Sequence, residues 1–300
     1  MKPLFLYAPN LKRYETDYMD SRKGWKAVSV TGTSCAFNCK HCGRRILEGM
    51  SDGSTPQRLE EILRDAVRDG DRGVILSGGS TSRGEVPVWR FSQVVRKYSD
   101  RLTVIAHTGV VRSLEVAKKF AESGVKVGML DMVGDDETIR EVLGQPFTVE
   151  DYLNSFKFLK QAGLKVVPHV VVGLSKRGSE AEAVLMLKEV SPDALIVVAM
   201  MPLTGEYKLV REPSPQEIIQ VLKLARDEYP GIPIMLGCAR PRGNLYLPVE
   251  KFAVDYGVDG IAFPEEETVD YAKGRRELRF SSACCANVVH DFISSQVSVS

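Results

Sequence analysis

Cys35-Ala36-Phe37-Asn38-Cys39-Lys40-His41-Cys42 puts three thiols within eight residues, spaced C-x3-C-x2-C. The run Lys26 to Thr31 just before it is rich in β-branched residues and reads as a strand. Three thiolates on one short loop can hold three corners of a 4Fe-4S cluster, and the fourth iron is left without a ligand from the loop. An open iron can bind a substrate or cofactor directly. A zinc site would need a second C-x2-C or a histidine pair, and neither a second C-x2-C nor an H-x3-H occurs in the chain. The bland alternative is three unrelated thiols; the scarcity of cysteine elsewhere weighs against it.

Outward from this loop, one pattern recurs: a short β-branched run, a loop, then an amphipathic helical stretch. The spacing predicts helix 56–69, with Thr55 as N-cap and Pro56 at the first position. Further strands are predicted at 74–77, 102–106, 125–130, 165–172, 194–199, 232–236 and 257–263. The intervening helices fall at 88–98, 112–122, 148–162, 179–189, 214–228 and 248–255. Gly124 and Gly163 follow two of these as C′ glycines. Eight strand–helix units in strict alternation imply an α/β fold with a parallel sheet, and closed into a ring they make a (β/α)8 barrel of TIM type. The expected organisation is a lead-in at 1–25, a barrel at 26–273, and a tail at 274–300 folded over the barrel mouth, with 294–300 frayed. In such a barrel the chemistry sits in the loops after the strands, which is where the cysteines fall.

Composition narrows the classes. The formal net charge is +1, and no basic run marks a nucleic-acid binder. No apolar run reaches the length of a membrane span, and Met1 to Tyr7 lacks the apolar core of a signal peptide. A cytoplasmic setting is expected, where clustered cysteines bind metal more often than they form disulfides. Scarce Asn and Gln beside abundant Lys, Arg and Glu lean towards a thermophilic source.

The C-x3-C-x2-C loop after a strand resembles the signature of the radical S-adenosylmethionine (radical SAM) superfamily. The resemblance implies that the open iron chelates the amino and carboxylate groups of S-adenosyl-L-methionine. One electron then cleaves it to methionine and a 5′-deoxyadenosyl radical, which abstracts a hydrogen atom. The protein's part is orientation and exclusion of water. His41 occupies the position beside the last cysteine that lies near the adenine in that family. Ser77-Gly78-Gly79-Ser80 resembles the family's GGE-type segment for the methionine amino group, with Ser80 where the acidic residue usually stands. His107 and Asp131 end two strands, where polar groups contact ribose or substrate in biotin synthase. Gly173 resembles the glycine that lets a strand end lie along the cofactor. The structural alternatives are a plain glycine turn, satisfied core histidines at 107 and 169, and helix capping around Asp135.

Cys238, Cys284 and Cys285 remain. If the tail meets the end of the strand at 232–236, these three thiolates can hold a second, auxiliary Fe-S cluster of the 4Fe-4S kind; the alternative is three unrelated thiols. Arg240, Ser281 and Ser282 are candidates for its fourth ligand, and Arg240 matches the arginine of the biotin synthase auxiliary site. The earlier-strand cysteines of biotin synthase are absent, as is the N-terminal cysteine motif of bacterial lipoyl synthase. Arg279-Phe280-Ser281-Ser282 is a loose echo of the lipoyl synthase Arg-Ser-Ser-Tyr motif. Ser29 through Cys42, with Gly49-Met50 and the tail cysteines, resembles the biotin-synthase-like group of archaea and bacteria. Members of that group serve as one of two subunits of a split lipoyl synthase.

That resemblance implies a sulfurtransferase acting in lipoate biosynthesis. It would add sulfur at C6 or C8 of an octanoyl group carried by a lipoyl-domain protein, at the expense of the auxiliary cluster, along an apolar path inside the barrel. It also implies a second radical SAM subunit and a reductant such as ferredoxin. Two other readings stay open: a biotin-synthase-like enzyme or mutase with a single cluster, and a non-catalytic Fe-S electron carrier.

Overall fold

Short apolar runs and amphipathic stretches become the elements that their spacing predicts. The computed structural model describes residues 1–201 and 212–297. Residues 298–300, the end of the stretch expected to fray, lie outside the described residues. The chain opens with β1 (Pro3–Tyr7), then β2 (Ala27–Ser29), β3 (Ser51–Asp52), α1 (Pro56–Arg68), β4 (Gly73–Ser77), α2 (Ser92–Arg96), β5 (Thr103–His107) and α3 (Leu114–Glu122). It continues with β6 (Val125–Met132), α4 (Asp136–Glu141), α5 (Val149–Gln161), β7 (Lys165–Val172), α6 (Glu180–Met186), β8 (Leu195–Ala199) and α7 (Pro215–Glu228). The last part holds β9 (Ile234–Leu236), α8 (Leu247–Asp255), β10 (Gly260–Ala262), α9 (Glu266–Ala272), β11 (Glu277–Ser281) and α10 (Val288–Val297).

The helix ends follow local chemistry. Thr55 caps α1 by accepting from the Arg58 N–H, and Pro56 opens it. Thr148 and Asp151 form a reciprocal capping box on α5. Leu59, Leu63 and Ala66 of α1 are buried at the spacing of one helix face. Val74, Ile75 and Leu76 of β4 are all buried, as expected for a parallel strand covered on both faces.

All ladders are parallel, and the sheet runs β11-β1-β10-β9-β8-β7-β6-β5-β4-β2-β3. The eight predicted strands are all present and curl into a barrel-type α/β sheet. Its two ends approach through single backbone contacts: Asn10 N–H donates to Trp25 O at 3.0 Å, and Trp25 N–H donates to Ser282 O at 2.9 Å. Two strands arise outside the expected barrel limits. β1 lies in the stretch read as a lead-in, and β11 in the stretch read as a tail. They pair with each other and β1 also pairs with β10, so both belong to the sheet.

The tail packs into the sheet. The turn Cys285–Asn287 touches both β6 and β10, which stand on opposite walls of the barrel. His290 sits in the field of Lys126 and Lys165, at the N-terminal ends of β6 and β7. The tail therefore runs from the strand ends, where Cys285 lies beside Cys238 and Asp291 beside Tyr7, into the barrel towards the start of β6 and β7. The physical reason is apolar burial: Cys284, Cys285, Ala286, Val288 and Val289 are at most 5% exposed. The Tyr7 hydroxyl ties this plug to the wall by donating to Asp291 Oδ2 at 2.6 Å. Among the described residues, no helix is long and apolar enough to cross a membrane.

Tyr7→Phe leaves the ring in place and removes that bond to a carboxylate. We expect a loss of about 1–3 kcal/mol in urea unfolding, with earlier cleavage of the tail in limited proteolysis.

Candidate active site

The cysteine loop leaves the C-terminal end of β2 and rests on the end of β4. Val30 N–H donates to Ser77 O at 2.8 Å, Gly79 N–H to Thr31 Oγ1 at 2.7 Å, and Ala36 N–H to Ser80 O at 2.9 Å. A Cβ on Gly79 would stand 2.1 Å from Ser34 O and 2.5 Å from Cys35 Cα. No side chain fits there. Ser77, Gly78 and Gly79 thus form the shelf that carries the loop, a role the sequence did not suggest. From the other side, Lys40 N–H donates to Val142 O at 2.9 Å, and Phe37 meets Phe147 edge-on with ring centroids 5.8 Å apart.

The ligand atoms of Cys39, His41 and Cys42 all lie within 4.8 Å of one another, the one such group among the described residues. Cys35 stands outside that tight group but acts electrostatically on Cys39. A hydrogen bond with Cys39 lowers the Cys42 thiol to about 4, against the opposing effect of burial and with help from His41. The same bond, with burial, pushes Cys39 up. Thiolate is the form that binds metal. His41 Nδ1 is buried with no hydrogen-bond partner. Clustered soft donors on a loop held by a glycine shelf fit a 4Fe-4S cluster bound by Cys35, Cys39 and Cys42.

A polar line runs from this loop into the barrel. Gln145 Nε2 donates to Cys39 Sγ at 3.8 Å, and the Tyr152 hydroxyl donates to Gln145 Oε1 at 2.7 Å. Asp131 acts on Tyr152 and, in turn, feels His107, His41 and Cys42. The His107 and His169 rings are 5.5 Å apart, and Asp131 is the register partner of His169. Burial raises the Asp131 carboxyl and lowers the His107 imidazole, so both are pushed towards neutrality. His169 falls to about 3, from burial first and His107 second. His107 and Asp131 keep some accessible surface although they sit deep among protein atoms, so they face the barrel interior. Gly173 has φ +84° and its N–H donates to Glu180 Oε1 at 2.9 Å. Its amide is therefore committed to Glu180, and it packs against Pro213.

The second set of cysteines lies close in pairs: Cys285 acts on Cys238 and on Cys284, but the three do not form a group with all ligand atoms within 4.8 Å of one another. Arg240 does not serve as the expected ligand. One terminal nitrogen donates to Gly237 O and Ala262 O, each at 2.6 Å, and the other pairs with Glu250 at 2.5 Å. Its guanidinium ties the ends of β9 and β10 to α8, because a buried charge must be paired. Lys12, which the sequence reading passed over, lies within the field of Cys238. Burial, then Arg242 and Arg240, lower its ammonium to about 8, and its Nζ stands 4.3 Å from the Phe263 ring centroid. No local signal marked it, since Lys12 meets Phe263 only across the folded seam.

The family model of the Radical SAM superfamily matches residues 29–187, just over half of the 300-residue chain. The chain belongs to the radical SAM superfamily. Its family uses a 4Fe-4S cluster and S-adenosylmethionine, and its members are enzymes. Among solved structures, it is similar to methylornithine synthase (PylB), with TM-score 0.58 and 18% identity, covering 93% of this chain and 84% of that one. HydG, a maturase of the FeFe-hydrogenase, matches with TM-score 0.61 and 16% identity, over 98% of this chain and 64% of that one. SuiB of Streptococcus suis, bound to S-adenosylmethionine, matches with TM-score 0.57 and 15% identity, over 82% and 52%. Likeness at these identities concerns the fold. A search of curated protein sequences returns no match.

For this radical SAM enzyme we expect Gly79→Ala to displace the Ser34–Cys35 backbone. Anaerobic reconstitution should then load clearly less iron per chain than wild type, with unchanged far-ultraviolet circular dichroism. The histidine gives a pH prediction. The folded value of His169 lies below the ordinary 6.5, so its neutral form is favoured by folding. That stability is present above about pH 6.5 and is lost as pH falls towards 3, at up to about 1.4 kcal/mol per pH unit. His169→Gln should flatten this acid limb in urea titrations between those limits.

Proposed function

We propose that this radical SAM enzyme inserts sulfur, adding it at C6 or C8 of an octanoyl group on a lipoyl-domain protein as lipoyl synthase does. What supports the reading is the approach of Cys238 to Cys285, 47 positions on in the sequence, with Cys284 beside it. A second centre held there would be the auxiliary Fe-S cluster and the sulfur source. When bound, the first cluster and S-adenosylmethionine supply a radical able to break a C–H bond that offers no acid–base handle. The chain's own contribution is to hold the loop on the Gly79 shelf, to limit charge in the interior, where burial pushes His107, His169 and Asp131 towards neutrality, and to exclude water by the tail. A second radical SAM subunit, a reductant such as ferredoxin and a cytoplasmic setting complete the proposal.

A specific observation favours a second reading. The interior wall of His107, Asp131 and His169 is polar where an acyl path would be apolar. A biotin-synthase-like enzyme or mutase with a single cluster, acting on a small polar molecule, would use that wall.

One experiment separates the two. Anaerobically reconstituted protein should hold about eight irons per chain, and Cys284→Ala with Cys285→Ala should remove roughly half. Mass analysis of an octanoylated lipoyl-domain peptide, with and without a partner subunit, should show added sulfur. Unchanged iron in the double variant, with 5′-deoxyadenosine formed and no sulfide consumed, would leave the single-cluster enzyme.

A further inference from the structure

We infer that Gln145 is the group that sets the electron affinity of the radical-generating cluster, through a hydrogen bond to the Cys39 sulfur whose direction Tyr152 fixes. The segment between α4 and α5 lies against the cysteine loop: Val142 O accepts from Lys40 N–H, and Phe147 packs on Phe37. Gln145 sits between these two contacts and reaches Cys39 Sγ with Nε2 at 3.8 Å. It is the one side-chain hydrogen bond to any of the three loop thiols from outside the loop among the described residues.

An amide can face a sulfur with either end, and the two ends have opposite effects. A ligating thiolate carries no proton, so it repels the carbonyl oxygen and attracts the NH2. Tyr152 selects the second orientation. Its hydroxyl donates to Oε1 at 2.7 Å, and burial keeps that phenol protonated by raising it well above its ordinary range. Tyr152 is itself 2% exposed on α5, so its ring does not move away. Backbone contacts hold the other end, with Gln145 N–H donating to Ile139 O at 3.2 Å.

Reduction adds negative charge to the iron–sulfur unit and its sulfurs. A donor aimed at a ligand sulfur stabilises the reduced form more than the oxidised form, and so raises the potential. Gln145 acts through Cys39 and touches no reacting atom; it is a positioning residue. The sequence could not disclose it, because Gln145 and Cys39 are 106 residues apart.

The test is a redox titration of full-length, anaerobically reconstituted protein without S-adenosylmethionine, followed by the electron paramagnetic resonance of the reduced cluster. Gln145→Met keeps the length and removes the donor. We expect its midpoint to be more negative than that of wild type at equal iron per chain. Tyr152→Phe should shift it in the same direction by less, because the amide is then free to turn. The double variant should match Gln145→Met alone, since the hydroxyl acts only through the amide. A wild-type midpoint in Gln145→Met would overturn the inference. So would a double-variant shift equal to the sum of the single shifts. Should Gln145→Met load less iron, Tyr152→Phe at full iron decides by itself, and an unchanged midpoint there counts against the inference. None of these outcomes depends on whether the enzyme inserts sulfur.

Discussion

The contact between Gly79 and the Ser34–Cys35 backbone is the constraint that the radical site hangs on. Two strand ends meet there with no space for a single carbon. A closer approach is possible only because β4 ends in two glycines, and because Thr31 Oγ1 takes the Gly79 N–H that would otherwise face the loop. The loop is then fixed at one end by β4 and at the other by the Val142–Phe147 segment. Cys39 and Cys42 are held between them, near enough to share a hydrogen bond. Positioning of this kind belongs to rigid elements and their ends, where a barrel concentrates chemistry.

The second feature that shapes the interior is the tail. An open parallel sheet of eight barrel strands leaves a lumen that must be filled by side chains or by another segment. Here the turn Cys285–Asn287 spans between β6 and β10, and β11 extends the sheet beside β1. The interior of the barrel is therefore packed in part with the chain's own C-terminal residues. Cys284 and Cys285 reach the interior because the tail that bears them does, and Cys238 meets them from the end of β9. The three thiols are a consequence of how the barrel is plugged.

Local signals were legible and distant ones were not. Thr55-Pro56 announces its helix by cap chemistry, and the structure has that cap; for the helix expected at 148–162 the pattern gave the span, and the Thr148–Asp151 capping box emerges only in the structure. The eight barrel strands were visible as β-branched runs between loops. β1 was not, because Pro3–Tyr7 has no alternation and its partners, Gly260 and Arg279, lie far along the chain. Arg240 looked like a ligand by its place after β9, yet burial decided otherwise by pairing it with Glu250. Gly79, expected beside a cofactor, stands in the structure against the Ser34–Cys35 backbone, where only a glycine fits. Gln145 stands in a Gly-Gln-Pro stretch that carries no pattern at all.

Electrostatics divides the interior into two walls of different character. On the side of β5, β6 and β7, burial pushes Asp131, His107 and His169 towards their neutral forms. On the side of β9 and the seam, Lys12 and Arg240 act on Cys238, and Arg242 acts on Lys12. Burial weakens the Lys12 ammonium, and the neighbouring guanidiniums weaken it further. A negative charge at Cys238 works in the opposite sense and restores the ammonium. Charging the thiols and charging Lys12 therefore favour each other, which lowers the cost of placing thiolates in a buried site. An isolated thiol in an apolar core has no such partner and stays protonated. The positive groups on this wall oppose, without cancelling, the rise that the Cys285 contact and burial impose on the Cys238 thiol, so a cation at Lys12 and a thiolate at Cys238 form together or not at all.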